Sequence, residues 1–354
     1  MSLLLHISIL ITTTIISWGL VLIIRHYALK HAVMDIPNER SSHETPTPRG
    51  GGLAIFGLCW IGMLLALIFQ PSDDIKAWAA FLVGAFVLGA VSILDDIFTL
   101  SNRIRFACHI FVAGCVLVFC GHWAVIALPF LGEVPLGWIG AGVAFIWIIG
   151  LLNVYNFMDG IDGIASVQAI GAGTAWALLG YIGGHEDITI FSLLIVASSL
   201  GFLWHNRSPA KIFMGDVGST FLGVSFAALA ILAAQRDPRL AVAGILSVWP
   251  FVFDGNLTLF RRAKNRENVF QAHRSHLYQR LTQSGWSHGR VTGLYALLSA
   301  LGVVFALLFV QCEFWGSVVA IVGPLSLGFG LFALTASAER KAAQSAADSN
   351  ERSS

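Results

Sequence analysis

Long apolar stretches separated by short polar segments run through almost the whole chain. A membrane-spanning helix needs about 20 predominantly apolar residues, and about eleven stretches approach that length. We predict spans at residues 4–24, 52–70, 77–94, 106–121, 138–155, 163–183, 187–204, 218–235, 239–259, 291–311 and 315–337. The further apolar segment "HWAVIALPFLGEVPLGW" is interrupted by prolines, so we predict that it lies at the membrane interface.

The composition points to the same class of protein. Of the 354 residues, 56% are hydrophobic and 12% are charged, whereas a soluble domain carries about 25% charged residues. We therefore predict an all-α fold, a polytopic helical bundle in the membrane, and we expect no nucleic-acid partner. The five cysteines are scattered without a CxxC or CxxH spacing, which is typical of packing residues.

The positive charges are distributed unevenly between the two sides of the predicted bundle. Most of the 21 Lys and Arg residues fall in loops on one side, whereas the other side has Lys76, Arg236 and Arg239. The positive-inside rule then predicts a periplasmic N-terminus and a cytoplasmic C-terminus. Residues 1–338 are predicted to form one membrane domain with cytoplasmic loops, and the polar tail 339–354 is predicted to be disordered.

Five unusual polar stretches all fall on the predicted cytoplasmic side. They read "MDIPNERSSHETPTPRGGG", "SILDDIFTLSNRIRF", "NVYNFMDGIDG", "WHNRSPAKIFMGDVGS" and "QAHRSHLYQRL". Independent connecting loops would not be expected to concentrate carboxylates, amides, glycines and histidines on one face. We therefore predict that the five stretches build one site.

The aspartates of these stretches suggest a metal and phosphate site. Asp95 and Asp96 end a predicted span, where negative charge opposes the helix dipole and therefore needs a partner. Asp159 and Asp162 are interleaved with glycines, and Asp216 precedes a new span. Carboxylates at one depth repel each other unless a cation lies among them, and an oxygen-only set suits Mg²⁺, with Mn²⁺ as an alternative. We predict a divalent cation beside bound phosphate.

Two histidines in the basic stretch "QAHRSHLYQRL" add to this prediction. His273 and His276 have an i, i+3 spacing that would place them on one helical face. The surrounding arginines are explained by topology and by attraction to anionic lipid. The histidines are less well explained in that way, since an imidazolium beside a phosphate site can bind or protonate phosphate.

Taken in order and spacing, the five stretches resemble the polyprenyl-phosphate N-acetylhexosamine-1-phosphate transferases, also called glycosyltransferase family 4, over residues 34–281. Within that family the chain looks closest to the enzymes that begin O-antigen chains. The resemblance implies transfer of sugar 1-phosphate from a UDP-N-acetylhexosamine to undecaprenyl phosphate, with UMP leaving and Mg²⁺ required. It also implies a multi-pass protein of the bacterial inner membrane with a cytoplasmic site, contact with membrane lipid, and a homodimer as one expected assembly.

The resemblance also implies roles for the carboxylates. Asp95 would deprotonate or orient the lipid phosphate, and Asp96 would support it or help to hold the metal. Asp216 would bind Mg²⁺ directly. Asp159, in the stretch that resembles the nucleotide-binding part of the family, would shape the catalytic site.

Further roles follow for residues expected to bind substrate. Gly160 and Asp162 would approach uracil, and Phe213 would stack on its ring. His273 and His276 would contact phosphate. The remaining residues expected to contact substrate or to shape its site are Asn38, Arg40, His43, Asn153, Asn156, Asn206 and Arg274.

The chain departs from the family pattern at two positions. Ser275 replaces a histidine of the histidine loop, and Ser41 stands where relatives commonly have a basic residue. Neither departure affects the carboxylates, so the expected reaction class is unchanged. The two departures leave the identity of the transferred sugar undetermined. Alternatives are the peptidoglycan branch that uses UDP-MurNAc-pentapeptide, an intramembrane aspartyl protease and an ion-coupled transporter. The protease motif lacks its first glycine here, and transporter sites lie near the membrane midplane.

Overall fold

The protein is a bundle of helices with two short β-hairpins. The computed structural model describes residues 2–37, 45–98, 100–268 and 273–353, without the side chains of residues 96, 97, 102 and 349–353. Within these residues the chain forms thirteen helices and four strands. The strands pair as two antiparallel hairpins, β1 (Met34–Asp35) with β2 (Thr47–Pro48), and β3 (Val125–Leu128) with β4 (Gly132–Pro135).

The helices follow the apolar stretches of the sequence closely. They are α1 (Leu3–Lys30), α2 (Gly52–Phe69), α3 (Ile75–Phe98), α4 (Asn102–Phe119), α5 (Ile139–Met158), α6 (Ile164–Gly183), α7 (Glu186–Asn206), α8 (Asp216–Ala234), α9 (Arg239–Ser247), α10 (Trp249–Lys264), α11 (Leu277–Gln283), α12 (His288–Gln311) and α13 (Glu313–Ser353). The predicted interfacial segment forms β3 and β4 rather than a helix.

Eight of the described helices are long and apolar enough to cross a membrane. The predicted span 239–259 is instead the pair α9 and α10, which bend by 76° at their junction and would raise the number to nine if they cross together. Helices α4 and α6 occupy two more predicted spans but are not among these eight; α4 carries Arg103 and Arg105 in its first turn, and α6 carries the buried Gln168. The multi-pass, all-α architecture is confirmed, and the number of eleven spans stays a prediction.

Helix α8 forms the centre of the bundle, since every residue after Asp216 in it is buried. It packs against α2, α3, α5 and α9. Glycines allow these close approaches: a Cβ on Gly223 would lie 2.8 Å from the Leu152 Cα of α5, and a Cβ on Gly52 would lie 2.5 Å from the Gly218 Cα. Small residues at such crossings are typical of helix contacts in membranes.

The two ends of the bundle carry different polar groups. At one end, α3 and α7 finish near Asp95 and Asn206, and α8 begins at Asp216. At the opposite end lies a group that we call the far-end cluster, in which Arg236 binds two carboxylates that precede α3 and begin α7. The cluster consists of Ser72, Asp74, Trp78, Asp187 and Arg236.

The C-terminal segment differs from its prediction. Residues 339–354 were expected to be disordered, but α13 continues through them to Ser353. Ala, Glu, Lys, Arg and Gln are good helix formers, and extending an existing helix requires no new nucleation. Arg280 Nε and Nη2 also donate to the two carboxylate oxygens of Glu339, at 2.7 and 2.6 Å, which anchors the beginning of this segment.

Candidate active site

A polar cavity of about 160 Å³ opens at the end of the bundle where α5 ends and α8 begins. Its lining brings together residues from three of the five polar stretches, the first, the third and the fourth. The predicted site residues in the lining are Asn156, Asp159, Gly160, Asp162, Asn206, Phe213 and Asp216. Residues that are distant in sequence therefore meet at one place, whereas among the described residues the second and fifth stretches do not line the cavity.

Asp216 occupies the first position of α8, where the positive end of the helix dipole favours a negative charge. The preceding Gly215 has a φ of 78°, a conformation that glycine adopts without strain. Asn156 Nδ2, near the end of α5, donates to Asp216 Oδ1 at 3.1 Å and to Ser219 Oγ at 2.9 Å. These bonds fix the Asp216 carboxylate between the two helices.

Asp95 is connected to Asp216 through an arginine of α4. Arg105 Nη1 lies 3.1 Å from Asp95 Oδ2 and 3.8 Å from Asp216 Oδ2. The Leu100 amide also donates to Asp95 Oδ1 at 2.7 Å, which holds this buried carboxylate in place. Asp95 and Asp216 thus lie at the same end of the bundle, within reach of one guanidinium nitrogen. The side chain of Asp96 lies outside the described residues.

Asp159 follows the last residue of α5 and shares the cavity with Asp216. Burial and the negative charge of Asp216 raise the pKa of Asp159 well above its usual range. This carboxyl group therefore resists ionisation until positive charge approaches. That behaviour fits a cation that binds near Asp159 and Asp216 together with a ligand.

The donor set of the cavity is compatible with Mg²⁺. Among the described residues, no group of three or more His, Cys, Asp or Glu side chains forms a ready-made metal centre. Mg²⁺ is usually held by one or two carboxylates and by substrate phosphates, so a dedicated cage is not required. The carboxylate oxygens of Asp216, which shares the cavity with Asp159, are suitable ligands of this kind.

Asp162 has a different environment. Its Oδ2 lies 3.3 Å from His288 Nδ1 and accepts from the Ala210 amide at 3.3 Å, while Thr292 Oγ1 donates to its main-chain oxygen at 2.6 Å. Burial opposes ionisation, but the hydrogen bonds and the charge of His288 outweigh it and lower the pKa of Asp162. Asp162 is therefore ionised at neutral pH.

Asn206, the last residue of α7, organises the loops around the cavity. Its Oδ1 accepts from the Gly163 amide at 2.9 Å, and its Nδ2 donates to the Ile212 carbonyl at 3.0 Å. Gly163 has a φ of 79°, so glycine is favoured at this turn. One amide side chain thus joins the "MDGIDG" turn to the segment that leads to Asp216.

The first polar stretch, "MDIPNERSSHETPTPRGGG", reaches the cavity through the β1–β2 hairpin. The Phe213 amide donates to the Pro48 carbonyl at 2.8 Å, and the Gly51 amide donates to the Phe213 carbonyl at 2.9 Å. These bonds place Asp35 and Arg49 in the lining. The predicted residues Asn38, Arg40 and His43 lie outside the described residues, so their roles stay predictions.

Gly160 is required where the cavity wall meets α11. A Cβ at this position would collide with the Tyr278 hydroxyl, which donates to the Phe157 carbonyl at 3.0 Å. The close approach that the sequence attributed to a ligand is therefore made, in this structure, by a tyrosine of the same chain.

The histidine loop lies beside the cavity rather than in its lining. The prediction that His273 and His276 share a helical face is wrong, because α11 begins at Leu277 and His276 caps it. The two imidazole rings are nevertheless 5.0 Å apart. Burial, together with the neighbouring His276 and Arg262, lowers the pKa of His273 to about 4, so His273 is uncharged at pH 7. Contact of this loop with phosphate stays a prediction.

Two more predicted residues are described but do not line the cavity. Asn153 donates through Nδ2 to the Ile149 carbonyl one turn earlier in α5, at 2.7 Å. The main-chain oxygen of Arg274 accepts from Gln283 Nε2 at 2.9 Å. Asn153 precedes the lining residue Asn156 on α5, and Arg274 belongs to the histidine loop. Their contacts with substrate stay predictions.

Six lining residues were not predicted as site residues, and three of these, Asp35, Arg49 and His288, carry charged or titratable side chains. Asp35 and Arg49 belong to a stretch that was recognised as a motif, so their charge was a usable signal. His288 begins α12 and contacts Asp162 through the fold alone. A single sequence carries no signal for that contact.

Comparison with known proteins supports the resemblance noted in the sequence. The model of glycosyl transferase family 4 matches residues 78–234. A probable undecaprenyl-phosphate N-acetylglucosaminyl 1-phosphate transferase from Bacillus subtilis (strain 168) is 33% identical over 303 residues, which cover 84% of this chain and 83% of the relative.

Two other groups of relatives are similar. A decaprenyl-phosphate N-acetylglucosaminephosphotransferase from Mycobacterium tuberculosis (strain ATCC 25618 / H37Rv) is 30% identical over 79% of this chain and 76% of the relative. A phospho-N-acetylmuramoyl-pentapeptide-transferase from Aquifex aeolicus (strain VF5) is 30% identical over 63% of this chain and 71% of the relative. The apolar helices, the cavity of converging motifs and these relatives together show that this multi-pass membrane protein belongs to glycosyl transferase family 4.

Proposed function

We propose that the protein transfers N-acetylhexosamine 1-phosphate from a UDP-sugar to undecaprenyl phosphate, with release of UMP. The similar proteins carry names of polyprenyl-phosphate sugar-phosphate transferases, which supports a phosphosugar donor and a polyprenyl-phosphate acceptor. We further propose that the reaction occurs at the cytoplasmic face of a bacterial inner membrane and begins an O-antigen chain. The asymmetric distribution of Lys and Arg supports that orientation.

The convergence of Asp95, Asp159 and Asp216 is the observation that carries this proposal. These carboxylates come from the ends of three helices, and Arg105 links two of them. Transfer of a phosphoryl group between two anions depends mainly on positioning and on neutralisation of charge. The arginines beside the cavity would position the two anions. The carboxylates of the cavity would hold a cation that neutralises their charge.

The described residues suggest how the chain would perform the transfer. Asp95, buried at the edge of the cavity, would orient the lipid phosphate or accept its proton. Arg105 and Arg49 would hold phosphate oxygens, since a guanidinium donates in a fork that matches them. Phe213 would stack on the uracil base from the cavity wall. Mg²⁺ bound by Asp216, with Asp96 as a further candidate, would supply neutralising charge to the diphosphate.

The test is release of UMP by the purified chain in detergent, with undecaprenyl phosphate and a panel of UDP-N-acetylhexosamines. We expect turnover that requires the lipid acceptor, that stops with EDTA and that returns with Mg²⁺ or Mn²⁺. A reaction that continues without the acceptor would identify a hydrolase instead. Absence of turnover with the whole panel would overturn the proposed function.

A second candidate function is transfer from UDP-MurNAc-pentapeptide in the peptidoglycan branch. The similarity to the Aquifex aeolicus protein favours it, although less of this chain is covered than by the Bacillus subtilis relative. Adding UDP-MurNAc-pentapeptide to the same panel distinguishes the two. An ion-coupled transporter is disfavoured, because these carboxylates lie at helix ends and not near a midplane.

A further inference from the structure

Asp254 is a buried carboxylate to which the proposed reaction assigns no role. It lies on α10 and is 0% exposed. A buried charge is costly unless hydrogen bonds satisfy it, so its surroundings indicate what it stabilises. Those surroundings belong to the histidine loop and to α12, not to the cavity.

Several donors converge on this carboxylate. The Leu277 amide donates to Oδ1 at 2.8 Å and the Tyr278 amide to Oδ2 at 3.3 Å, so Asp254 satisfies free N–H groups at the beginning of α11. The Tyr295 hydroxyl donates to Oδ2 at 2.6 Å. A carboxylate surrounded by donors is held in its charged form, which only accepts hydrogen bonds.

Thr258 Oγ1 also donates to Oδ1 at 3.2 Å, from the next turn of α10, and His276 is a further partner. Its Nδ1 lies 3.3 Å from Asp254 Oδ1. Because an ionised carboxylate cannot donate, the proton of this bond must reside on Nδ1. The opposite nitrogen, Nε2, is buried and has no hydrogen-bond partner among the described residues. A buried polar atom without a partner is uncommon and points to a missing ligand.

The loop is also attached to the cavity wall. The His276 ring stacks on Tyr278, with the ring centroids 5.8 Å apart and an interplanar angle of 20°. The Tyr278 hydroxyl in turn donates to the Phe157 carbonyl beside Asp159 and Gly160. Asp254 thus sets the position of His276 relative to the wall of the candidate site.

We propose that Asp254 is a positioning residue, which fixes the tautomer and the orientation of His276 so that Nε2 is presented to a phosphate oxygen of the substrate. This inference rests on the proposed function. A competing explanation is that Asp254 merely caps α11. The other charged or titratable side chains around the loop include His273, Arg262, Arg274 and the carboxylates Glu267 and Asp159. Among the described residues, Asp254 is the carboxylate that lies within hydrogen-bond distance of a His276 ring nitrogen.

A double-mutant cycle separates these explanations. UMP release is measured for the unsubstituted chain, Asp254→Asn, His276→Gln and the double variant, each confirmed to be monodisperse. Loss of an orienting partner typically costs about 10- to 100-fold, so Asp254→Asn should lower kcat by this amount with KM for the UDP-sugar nearly unchanged. In the His276→Gln background the same substitution should lower kcat less than about twofold, because interacting residues are not additive.

A second pair of variants decides the question if Asp254→Asn does not fold. His276→Asn keeps a donor near the position of Nδ1, whereas His276→Gln keeps one near Nε2. We expect His276→Gln to retain more turnover than His276→Asn, while both remain folded. Asn256→Ala, on the exposed side of α10, serves as the matched control and should stay within about twofold of the unsubstituted chain, as surface substitutions usually do.

The outcomes are distinguishable. Equal losses from Asp254→Asn in both backgrounds, or greater turnover by His276→Asn than by His276→Gln, would overturn this inference and leave the proposed function standing. If the unsubstituted chain releases no UMP with any UDP-sugar, the proposed function fails and the inference fails with it.

Discussion

The two ends of the helix bundle both hold aspartates, but their surroundings differ. In the far-end cluster, Arg236 Nη1 donates to Asp187 Oδ1 at 2.8 Å and Arg236 Nη2 donates to Asp74 Oδ2 at 2.6 Å. Ser72 Oγ and Trp78 Nε1 each donate to Asp187 at 2.7 Å. Although burial opposes its charge, the bonds to Asp187 and Asp74 raise the pKa of Arg236.

In the cavity, the balance of charge is different. One nitrogen of Arg105 spans Asp95 and Asp216, and its distance to Asp216 is 3.8 Å. The nearby Asp159 has a raised pKa because it is buried beside Asp216. Carboxylates that are satisfied within the chain stabilise a fold, whereas carboxylates that lack compensation are typical of functional sites. The comparison therefore assigns structure to one end and chemistry to the other.

The largest expected effect comes from removing charge in the cavity. Asp216→Asn and Asp95→Asn should each lower UMP release by about 100- to 1,000-fold, as loss of a stabilising group in an active site does. Asp187→Asn should lower the amount of folded protein but leave the turnover of the folded fraction nearly unchanged. Turnover is normalised to monodisperse protein from gel filtration. Full activity of both cavity variants would contradict the comparison.

Removing the charge of the far-end cluster should act on stability instead. Arg236→Met leaves two carboxylates without their cation. Because Asp187 is largely buried while Asp74 is 39% exposed, this loss should cost about 2 kcal/mol, between the values for surface and buried pairs. Thermal unfolding in detergent should show a clear decrease in Tm. Arg239→Met is the matched control, because Arg239 is half exposed and pairs with Asp237 two residues away. Loss of that surface pair should cost less than about 1 kcal/mol. Equal effects would remove the distinction between the two clusters.

A steric change in the cavity wall should have a smaller effect on turnover. Gly160→Ala forces Tyr278 away from the Phe157 carbonyl, and displacement of a site by a fraction of an ångström should lower kcat about tenfold. Gly142→Ala serves as the control, because Gly142 lies in the first turn of α5 and a Cβ added there meets open space. Unchanged turnover of Gly160→Ala would show that this wall does not shape the reaction.

The smallest expected effect concerns stability and pH. The pKa of Asp159 is raised in the folded protein, so the unfolded chain ionises this group more easily and folding stability falls as the pH rises above the ordinary value of about 4. Asp159→Asn should therefore raise Tm at pH 7, and the difference should shrink as the pH approaches 4. Turnover should decrease in the same variant. A lower Tm at pH 7 would show that Asp159 is not under electrostatic strain.

Much of this arrangement follows from local sequence. Runs of apolar residues determine the helices, because a bilayer leaves few other ways to satisfy the main chain. The "MDGIDG" and "FMGD" stretches could be placed in one site, because the first follows a predicted span and the second precedes one on the same side of the membrane. These arguments need only the order of residues along the chain.

Contacts between distant segments could not be predicted in this way. His288 meets Asp162 because α12 packs against α6, and Asp254 meets His276 because α10 packs against α11. The helical face expected for His273 and His276 was wrong because His276 serves as an N-cap, a role that depends on where α11 begins. The helical tail was missed because a polar composition does not show that a preceding helix is available for extension.

The cavity is lined both by a residue of the buried helix α8, Asp216, and by residues of peripheral segments. Asp216 is the first residue of α8, and every later residue of this helix is buried. The position of Asp216 is therefore determined by the packing of the surrounding helices. By contrast, Asp35, Arg49 and His288 reach the opening from a hairpin and from the beginning of another helix. Substitutions at these three residues can therefore change the opening of the cavity while Asp216 keeps its position.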